Sequence, residues 1–266
     1  MKDRLLALLL LLMSLPACAQ PADDSELVFG ILPFMTTVTL FQRFAPLRDH
    51  LARATGRPVF METAPDLERF DRRTRQRAYD LVLTAPHLVP AALDSGHYEL
   101  VAKPARPLAA HVMVRNDDPA RDLGDLSGRI LAHAPADALI PALGRALFAD
   151  IEPPPRFRSY PSHNGAYAAL LEGDADAVII GSYLVPKAVR EDGLRELAHS
   201  DAYPGLALLV ARDLPAELRA RIRPALLDLS ASDRGRALLR RIRLPDFVPA
   251  RREAFEPLRR FNPHRF

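Results

Sequence analysis

A fifteen-residue segment that occurs twice constrains this chain more than any other feature. The first copy, residues 79–93, reads YDLVLTAPHLVPAAL, and the second, residues 175–189, reads ADAVIIGSYLVPKAV. Six positions are identical at a constant offset of 96 residues. Each copy has an Asp, an apolar run of strand length, a turn and the start of a helix. The shared order predicts two lobes of similar build, with chance matching among Ala, Leu, Val and Pro as the alternative.

The loop that follows each apolar run is where we expect ligand-binding residues. In open α/β folds this loop lies at the carboxyl end of a strand, where ligands bind. The first loop contains Pro86 and His87, and the second contains Ser182 and Tyr183. Because His87 and Tyr183 occupy equivalent positions, they could hold a ligand from opposite walls. The alternative is that both pack locally as first-turn residues.

Strand-like and helix-like segments alternate along most of the chain. This pattern predicts the α/β class, with mainly parallel sheets and flanking helices. Breaks at residues 104–107 and at the turn 203–205 indicate two crossovers between the lobes. We therefore expect lobe I to comprise residues 27–107 plus 206–266, and lobe II to comprise residues 108–205.

The first 18 residues have the pattern of an export signal. A short, net positive start precedes an apolar run, residues 5–15, that is too short to span a bilayer. Residues 15–18, LPAC, are similar to a bacterial lipobox, in which Cys18 would be lipidated and would anchor the protein to a membrane. Residues 17–19 also fit an ordinary cleavage site, and both alternatives predict a periplasmic protein. The single cysteine excludes an internal disulfide.

Composition argues against several functional classes. The 33 Arg residues are balanced by 33 acidic ones, and the densest basic run, residues 69–77, fits a solvated helix face rather than a nucleic-acid surface. The eight His residues include no pair at helical metal-ligand spacing, so no metal site is predicted. Neither a Gly-x-Ser-x-Gly motif nor a phosphate-binding Gly-rich loop occurs, and no cofactor is expected.

Several short segments, in their order and spacing, resemble one known family over residues 27–261. These segments are residues 46–51 (PLRDHL), 79–86 (YDLVLTAP), 112–119 (VMVRNDDP), 123–130 (LGDLSGRI), 162–166 (SHNGA), 173–178 (GDADAV), 209–215 (LVARDLP) and 247–250 (FVPA). The chain is similar to periplasmic binding proteins of the phosphonate, phosphite and phosphate type, which are components of ABC importers. The resemblance implies a type II fold whose two lobes close over a small ligand, with an ABC permease as partner and no catalysis. We also expect the protein to be a monomer.

The resemblance also implies further site residues. In the phosphonate binders a Ser-Thr-Ser cluster at a helix start in the second lobe holds the phosphonate oxygens. The matching stretch here is residues 135–138, PADA, in which Ala136 and Asp137 bring no hydroxyl and add a carboxylate. A carboxylate repels an anion in a desolvated cleft, so the usual mode of phosphonate binding is not expected. Ser162 and His163 match a stretch with a ligand-contacting His.

Some alternatives stay open. Thr36 and Thr37, at a helix start, are candidate ligand contacts, whereas Asp137 could serve only as a helix N-cap. Asp80 and Asp176 precede their strands and are expected to serve turns at the far end. The expected function is capture of a small polar solute, with a phosphorus oxyanion as one candidate. A ligand-sensing periplasmic partner of a membrane receptor or kinase, or a small-molecule enzyme on the same fold, would share these features.

Overall fold

The computed structural model describes residues 25–263. Its strands are β1 (Leu27–Ile31), β2 (Val59–Glu62), β3 (Leu81–Thr84), β4 (Tyr98–Pro104), β5 (Ala110–Arg115), β6 (Ile130–His133), β7 (Arg156–Ser159), β8 (Ala177–Gly181), β9 (Leu194–His199), β10 (Ala207–Ala211) and β11 (Phe247–Pro249). Its α-helices are α1 (Thr37–Thr55), α2 (Leu67–Arg75), α3 (Val89–Asp94), α4 (Leu139–Ala146), α5 (His163–Glu172), α6 (Val185–Arg190), α7 (Ala216–Leu227) and α8 (Asp233–Ile242). Among these residues no helix has the length and apolar character needed to cross a membrane.

The strands form two sheets, as the α/β prediction requires. The first has six strands in the order β11-β4-β10-β3-β1-β2, and the second has five in the order β7-β6-β8-β5-β9. The first sheet draws on both ends of the described chain, whereas the second uses only residues between 110 and 199. The α/β class with flanking helices is confirmed.

The expectation of mainly parallel sheets is wrong, because both sheets are mixed. In the first sheet β1 is parallel to β2 and β3, but β10 is antiparallel to β3 and β4. In the second, β6 is parallel to β7 and β8, but β5 is antiparallel to β8 and β9. Strands β5 and β10 each arrive directly from the other sheet, so no crossover helix returns the chain to the end where the parallel strands begin. Strand β11, which is also antiparallel to its neighbour β4, follows α8 instead.

The repeated segment folds in the same way in both sheets. Every residue of β3 and of β8 is buried, which fits strands that are covered on both faces. The helices that follow begin after Leu88 and Leu184, each with a proline in its first turn. Proline suits this position because its missing N–H would have no intrahelical partner there. The strand, turn and helix predicted for each copy are therefore present.

The duplicated aspartates fix the opposite ends of these strands. Asp80 accepts a hydrogen bond of 2.7 Å from the backbone N–H of Val28, which lies in the neighbouring strand β1. Asp176 does the same at 2.8 Å with the N–H of Ile130 in β6. Arg77 also donates to Asp80 at 2.8 Å. The two aspartates thus hold equivalent strand pairs in register, at the end remote from the ligand-loop positions.

Two crossover segments pair with each other between the sheets. Leu108, between β4 and β5, and Tyr203, between β9 and β10, exchange backbone hydrogen bonds of 2.8 and 2.9 Å. The boundaries expected from the sequence, at 107/108 and 205/206, fall in these segments. We use "lobe I" for residues 27–107 plus 206–263 and "lobe II" for residues 108–205, as a proposed division.

Candidate functional site

The parallel strands β6, β7 and β8 end on the same side of the second sheet, and their carboxyl ends form one edge of it. Two helices begin at this edge, where the loop after β8 also lies. Five residues separate α4 from β6, and three residues separate α5 from β7. The first N–H groups of a helix have no intrahelical partner, so such an edge offers hydrogen-bond donors to a ligand.

Tyr183 folds back over the end of β8. A Cβ atom at Gly181 would lie 2.6 Å from Cε1 of Tyr183 and 3.4 Å from Cδ1 of Ile140, a residue of α4. The ring therefore occupies the space that a side chain at position 181 would need. It also meets the ring of His163 edge-on, with centroids 6.3 Å apart and an interplanar angle of 84°. Glycine at position 181 thus places the tyrosine between the starts of α4 and α5.

Tyr183 is open on one side and desolvated around its hydroxyl. Its side chain is 49% exposed, yet desolvation raises the pKa of its phenol to about 12. The hydroxyl is therefore neutral at neutral pH and can both donate and accept a hydrogen bond.

His163 has a buried nitrogen without a partner. As the first residue of α5 it faces Tyr183, and its Nδ1 has no hydrogen-bond partner among the described residues. Burial lowers the pKa of the imidazole to about 4, so the ring is neutral at neutral pH. A buried polar atom left unpaired costs about 1–3 kcal/mol. A ligand that bonded to this nitrogen would remove that cost.

His87 bridges the two sheets. Its side chain is 1% exposed, and its Nε2 lies 3.2 Å from the carbonyl oxygen of Asp137, just before α4. A ring nitrogen that faces a carbonyl oxygen carries the proton, so Nε2 is the donor. His87 and Tyr183 therefore differ in environment although they are equivalent in the repeat. One is buried at the junction and the other is open.

The N-cap interpretation of Asp137 is wrong. Ala138 occupies the N-cap position of α4, and no side chain caps that helix. Ser162, by contrast, is an N-cap, since its hydroxyl accepts a hydrogen bond of 3.1 Å from the N–H of Gly165. The half-buried Asp137 carboxylate is thus left beside the start of α4, close to where His87 arrives from the other sheet.

The remaining predicted residues make other contacts. The hydroxyl of Ser182 accepts a hydrogen bond of 2.8 Å from the N–H of Ala109, which turns it toward the crossover segments. Thr36 and Thr37 are exposed at the start of α1, and the hydroxyl of Thr36 donates to Thr39 at 2.9 Å. Pro86 is buried and Ala136 is exposed. Cys18 lies outside the described residues.

One polar group was missed by sequence reasoning. His111, Glu196 and His199 bring ligand-type atoms within 4.8 Å of one another on the second sheet. Burial alone would raise the pKa of Glu196, but hydrogen bonds from both histidines outweigh it and lower the pKa. The only sequence signal is Glu-x-x-His at residues 196–199, a spacing that indicates a shared face on a helix and not on a regular strand.

Comparison with known proteins decides the family. A family profile described as "ABC transporter, phosphonate, periplasmic substrate-binding protein" matches residues 29–255. The chain belongs to this family. Members of this phosphonate-type family are periplasmic proteins that bind a small ligand and work with an ABC permease. The family consists of transporter binding proteins rather than enzymes.

Solved structures of similar fold include three relatives of low sequence identity. PhnD1 from Prochlorococcus marinus in complex with methylphosphonate has a TM-score of 0.77 and 12% identity, covering 90% of this chain and 97% of its own. XAC2383 from Xanthomonas citri bound to ATP has a TM-score of 0.74 and 16% identity, covering 89% and 96%. A binding protein component of an ABC phosphonate transporter from Pseudomonas aeruginosa has a TM-score of 0.70 and 16% identity, covering 90% and 86%. A search of curated protein sequences finds no significant match. The type II binding protein fold is thereby confirmed for this phosphonate-type protein.

Proposed function

We propose that this protein captures a small polar solute between its two lobes and presents it to an ABC permease. The solute lies against His163 and Tyr183 in lobe II, next to the backbone of Asp137 that His87 reaches from lobe I. The observation that supports this site best is the buried, unpartnered Nδ1 of His163 at the start of α5. Family membership supports the importer role.

The chemistry of this surface favours a solute with both donor and acceptor groups. His163 and Tyr183 are uncharged at neutral pH, and the two helix starts offer N–H donors. The carboxylate of Asp137 stands where the family resemblance placed hydroxyls. Because it disfavours a multiply charged anion, it favours a solute that carries an amine or another donor group. A phosphorus oxyanion that also bears such a group fits both features.

A ligand screen tests this proposal. Thermal shift followed by calorimetry would compare phosphate, phosphite, alkylphosphonates, aminoalkylphosphonates, amines and small acids. We expect His163→Ala and Tyr183→Phe to weaken the bound solute, and His97→Ala, at an exposed histidine, to leave its affinity unchanged. A tight ligand whose affinity survives alanine at positions 87, 163 and 183 would contradict the site. Turnover of the ligand by the purified protein would contradict a purely binding role.

Closure around the solute is the second part of the proposal. Hinge closure of two lobes makes the molecule more compact. X-ray scattering should therefore give a smaller radius of gyration with the solute than without it. An unchanged radius at saturating solute would argue against closure.

We also propose that the export signal ends before Cys18 and that this cysteine is acylated. The proposal rests on the lipobox-like residues 15–18 and on the family's periplasmic location. A Cys18→Ala variant should leave the membrane fraction and become soluble in the periplasm. Equal membrane association of the variant and the native protein would rule out the anchor. We expect the released protein to be monomeric in light scattering, and a dimer mass would contradict that.

A further inference from the structure

Three side chains with metal-binding atoms meet beside the crossover segments, at one edge of the second sheet. His111 lies on β5, and Glu196 and His199 lie on β9. The Nδ1 atom of His111 is 2.6 Å from one carboxylate oxygen of Glu196, and the Nδ1 of His199 is 2.8 Å from the other. Both imidazoles therefore place their Nδ1 atoms next to the carboxylate of Glu196.

An irregularity in β9 creates this grouping. His111 and His199 are direct partners in the antiparallel pair, so their side chains share a face of the sheet. Glu196 is three residues from His199 and would lie on the opposite face of a regular strand. The register shifts between Val112 and Met113, so that Val112 pairs with Ala198 but Met113 pairs with Glu196. This bulge turns Glu196 onto the face of both histidines, and bulges commonly re-aim a side chain in this way.

The geometry points to a divalent transition-metal ion held by His111, Glu196 and His199. Two imidazoles and one carboxylate are the protein ligands of many open zinc sites, where a water molecule completes the coordination. Bonds of about 2.1 Å in a tetrahedral site place neighbouring donor atoms about 3.4 Å apart. Each imidazole nitrogen therefore needs to move away from the carboxylate of Glu196 by less than about 1 Å. The side chains are 14%, 32% and 61% exposed in that order, which leaves one side open for water.

A second shell supports the most buried ligand. The Nε2 atom of His111 is 3.1 Å from the hydroxyl of Ser182, which is itself bonded to the backbone of Ala109. Metal-bound histidines usually bond through their other ring nitrogen in this way, which fixes the ring's orientation. His111 and His199 line a depression of about 550 Å³ together with Pro107, Pro186 and Ser200. Solvent and an ion can therefore reach the cluster.

The ligands of the proposed metal site are not the residues of the proposed solute site, although Ser182, which bonds to His111, directly precedes Tyr183 in the chain. All three ligands belong to the second sheet, and none of them contacts His163 or Tyr183 among the contacts described above. We therefore expect the ion to bind whether or not a solute is present. Failure of either proposal leaves the other standing.

Zinc titration of the untagged, chelator-treated mature protein tests this inference. Calorimetry should show one Zn²⁺ ion bound per chain. The variants His111→Gln, Glu196→Gln and His199→Gln should each weaken binding by at least about tenfold. His97→Gln, at an exposed histidine outside the cluster, is the matched control and should bind as the native protein does. Circular dichroism would verify that each variant is folded.

A spectroscopic measurement on the native chain provides a test without substitutions. Co²⁺ added to the native protein should give the intense visible absorption of a four- or five-coordinate site, and Zn²⁺ should displace it. Absence of Zn²⁺ binding, or equal binding by the three variants and the native protein, would overturn the inference. The cluster would then be a hydrogen-bonded group around one carboxylate.

Discussion

The Nε2 atom of His87 lies 3.2 Å from the carbonyl oxygen of Asp137, so a side chain that follows β3 bonds to the backbone that enters α4. This bond joins the two sheets and can form only when they are close. We expect His87→Phe, which keeps most of the bulk, to favour a more open molecule. A hydrogen bond contributes about 0.5–1.5 kcal/mol, so solute affinity should fall by roughly two- to tenfold.

X-ray scattering of the solute-free protein measures this effect. The radius of gyration of His87→Phe should exceed that of the native protein, whereas His97→Phe, at an exposed site, should match it. Equal radii and equal affinities in all three proteins would show that the bond does not influence closure.

Desolvation of the half-buried His163 should make the protein sensitive to acid. Its pKa is about 4 in the folded protein and about 6.5 in an unfolded chain. Below pH 6.5 the unfolded chain takes up a proton that the folded protein does not, so stability falls as the pH falls toward 4. At pH 4.5 this histidine should cost on the order of 2 kcal/mol relative to pH 7.

Urea unfolding of the native protein and of His163→Gln, at both pH values, checks this prediction. The variant should lose less stability on acidification than the native protein does. Burial also lowers the pKa of His133, so some acid sensitivity should persist in the variant. An identical pH dependence for native protein and His163→Gln would mean that the imidazole of His163 is as well solvated in the folded protein as in the unfolded chain.

The duplicated aspartates should differ in their contribution to stability. Asp80 is 17% exposed and Asp176 is 35% exposed, while both accept a backbone N–H from the neighbouring strand. Asp80→Ala should lower the free energy of unfolding by roughly 2–3 kcal/mol, because the carboxylate bonds with little screening by water. Asp176→Ala should cost less, about 1 kcal/mol.

Urea unfolding at neutral pH measures both values. Asp174→Ala is the matched control, because this exposed aspartate precedes the same strand as Asp176 and its described hydrogen bonds use only backbone atoms. If Asp174→Ala lowered the free energy of unfolding as much as Asp80→Ala, the effect would come from removing any aspartate near a strand. It would then not come from the bond between the carboxylate and the N–H of the neighbouring strand.

Gly181 should contribute to stability because a larger side chain at this position would collide with the ring of Tyr183. A Cβ at position 181 would lie 2.6 Å from the tyrosine ring, so Gly181→Ala should displace the ring and cost about 1–3 kcal/mol of stability. In a Tyr183→Ala background the same substitution should cost little. A double-mutant cycle from thermal or urea unfolding gives this coupling. Additive effects of the two substitutions would show that the cost of Gly181→Ala arises from the backbone and not from contact with Tyr183.

Local features of the fold were predictable from sequence, and relations between the lobes were not. The repeat predicted strand, turn and helix because apolar runs and first-turn prolines act within a few residues. The burial of His87 depends instead on the carbonyl group of Asp137, which lies just before α4 and is distant from His87 in the sequence. The place of Glu196 beside His111 and His199 depends on a bulge that no residue spacing reveals.

The position of β10 in the first sheet affects how the chain behaves during synthesis and after truncation. β10 lies between β3 and β4, although the whole second sheet separates it from them in sequence. A nascent or prematurely terminated chain that stops before Leu206 leaves both of those strands with an unpaired edge, and such edges recruit other chains into aggregates. Strand β10 therefore completes the first sheet, most of which is formed by residues far earlier in the chain. A fragment that lacks β10 should precipitate rather than persist as a smaller binding protein.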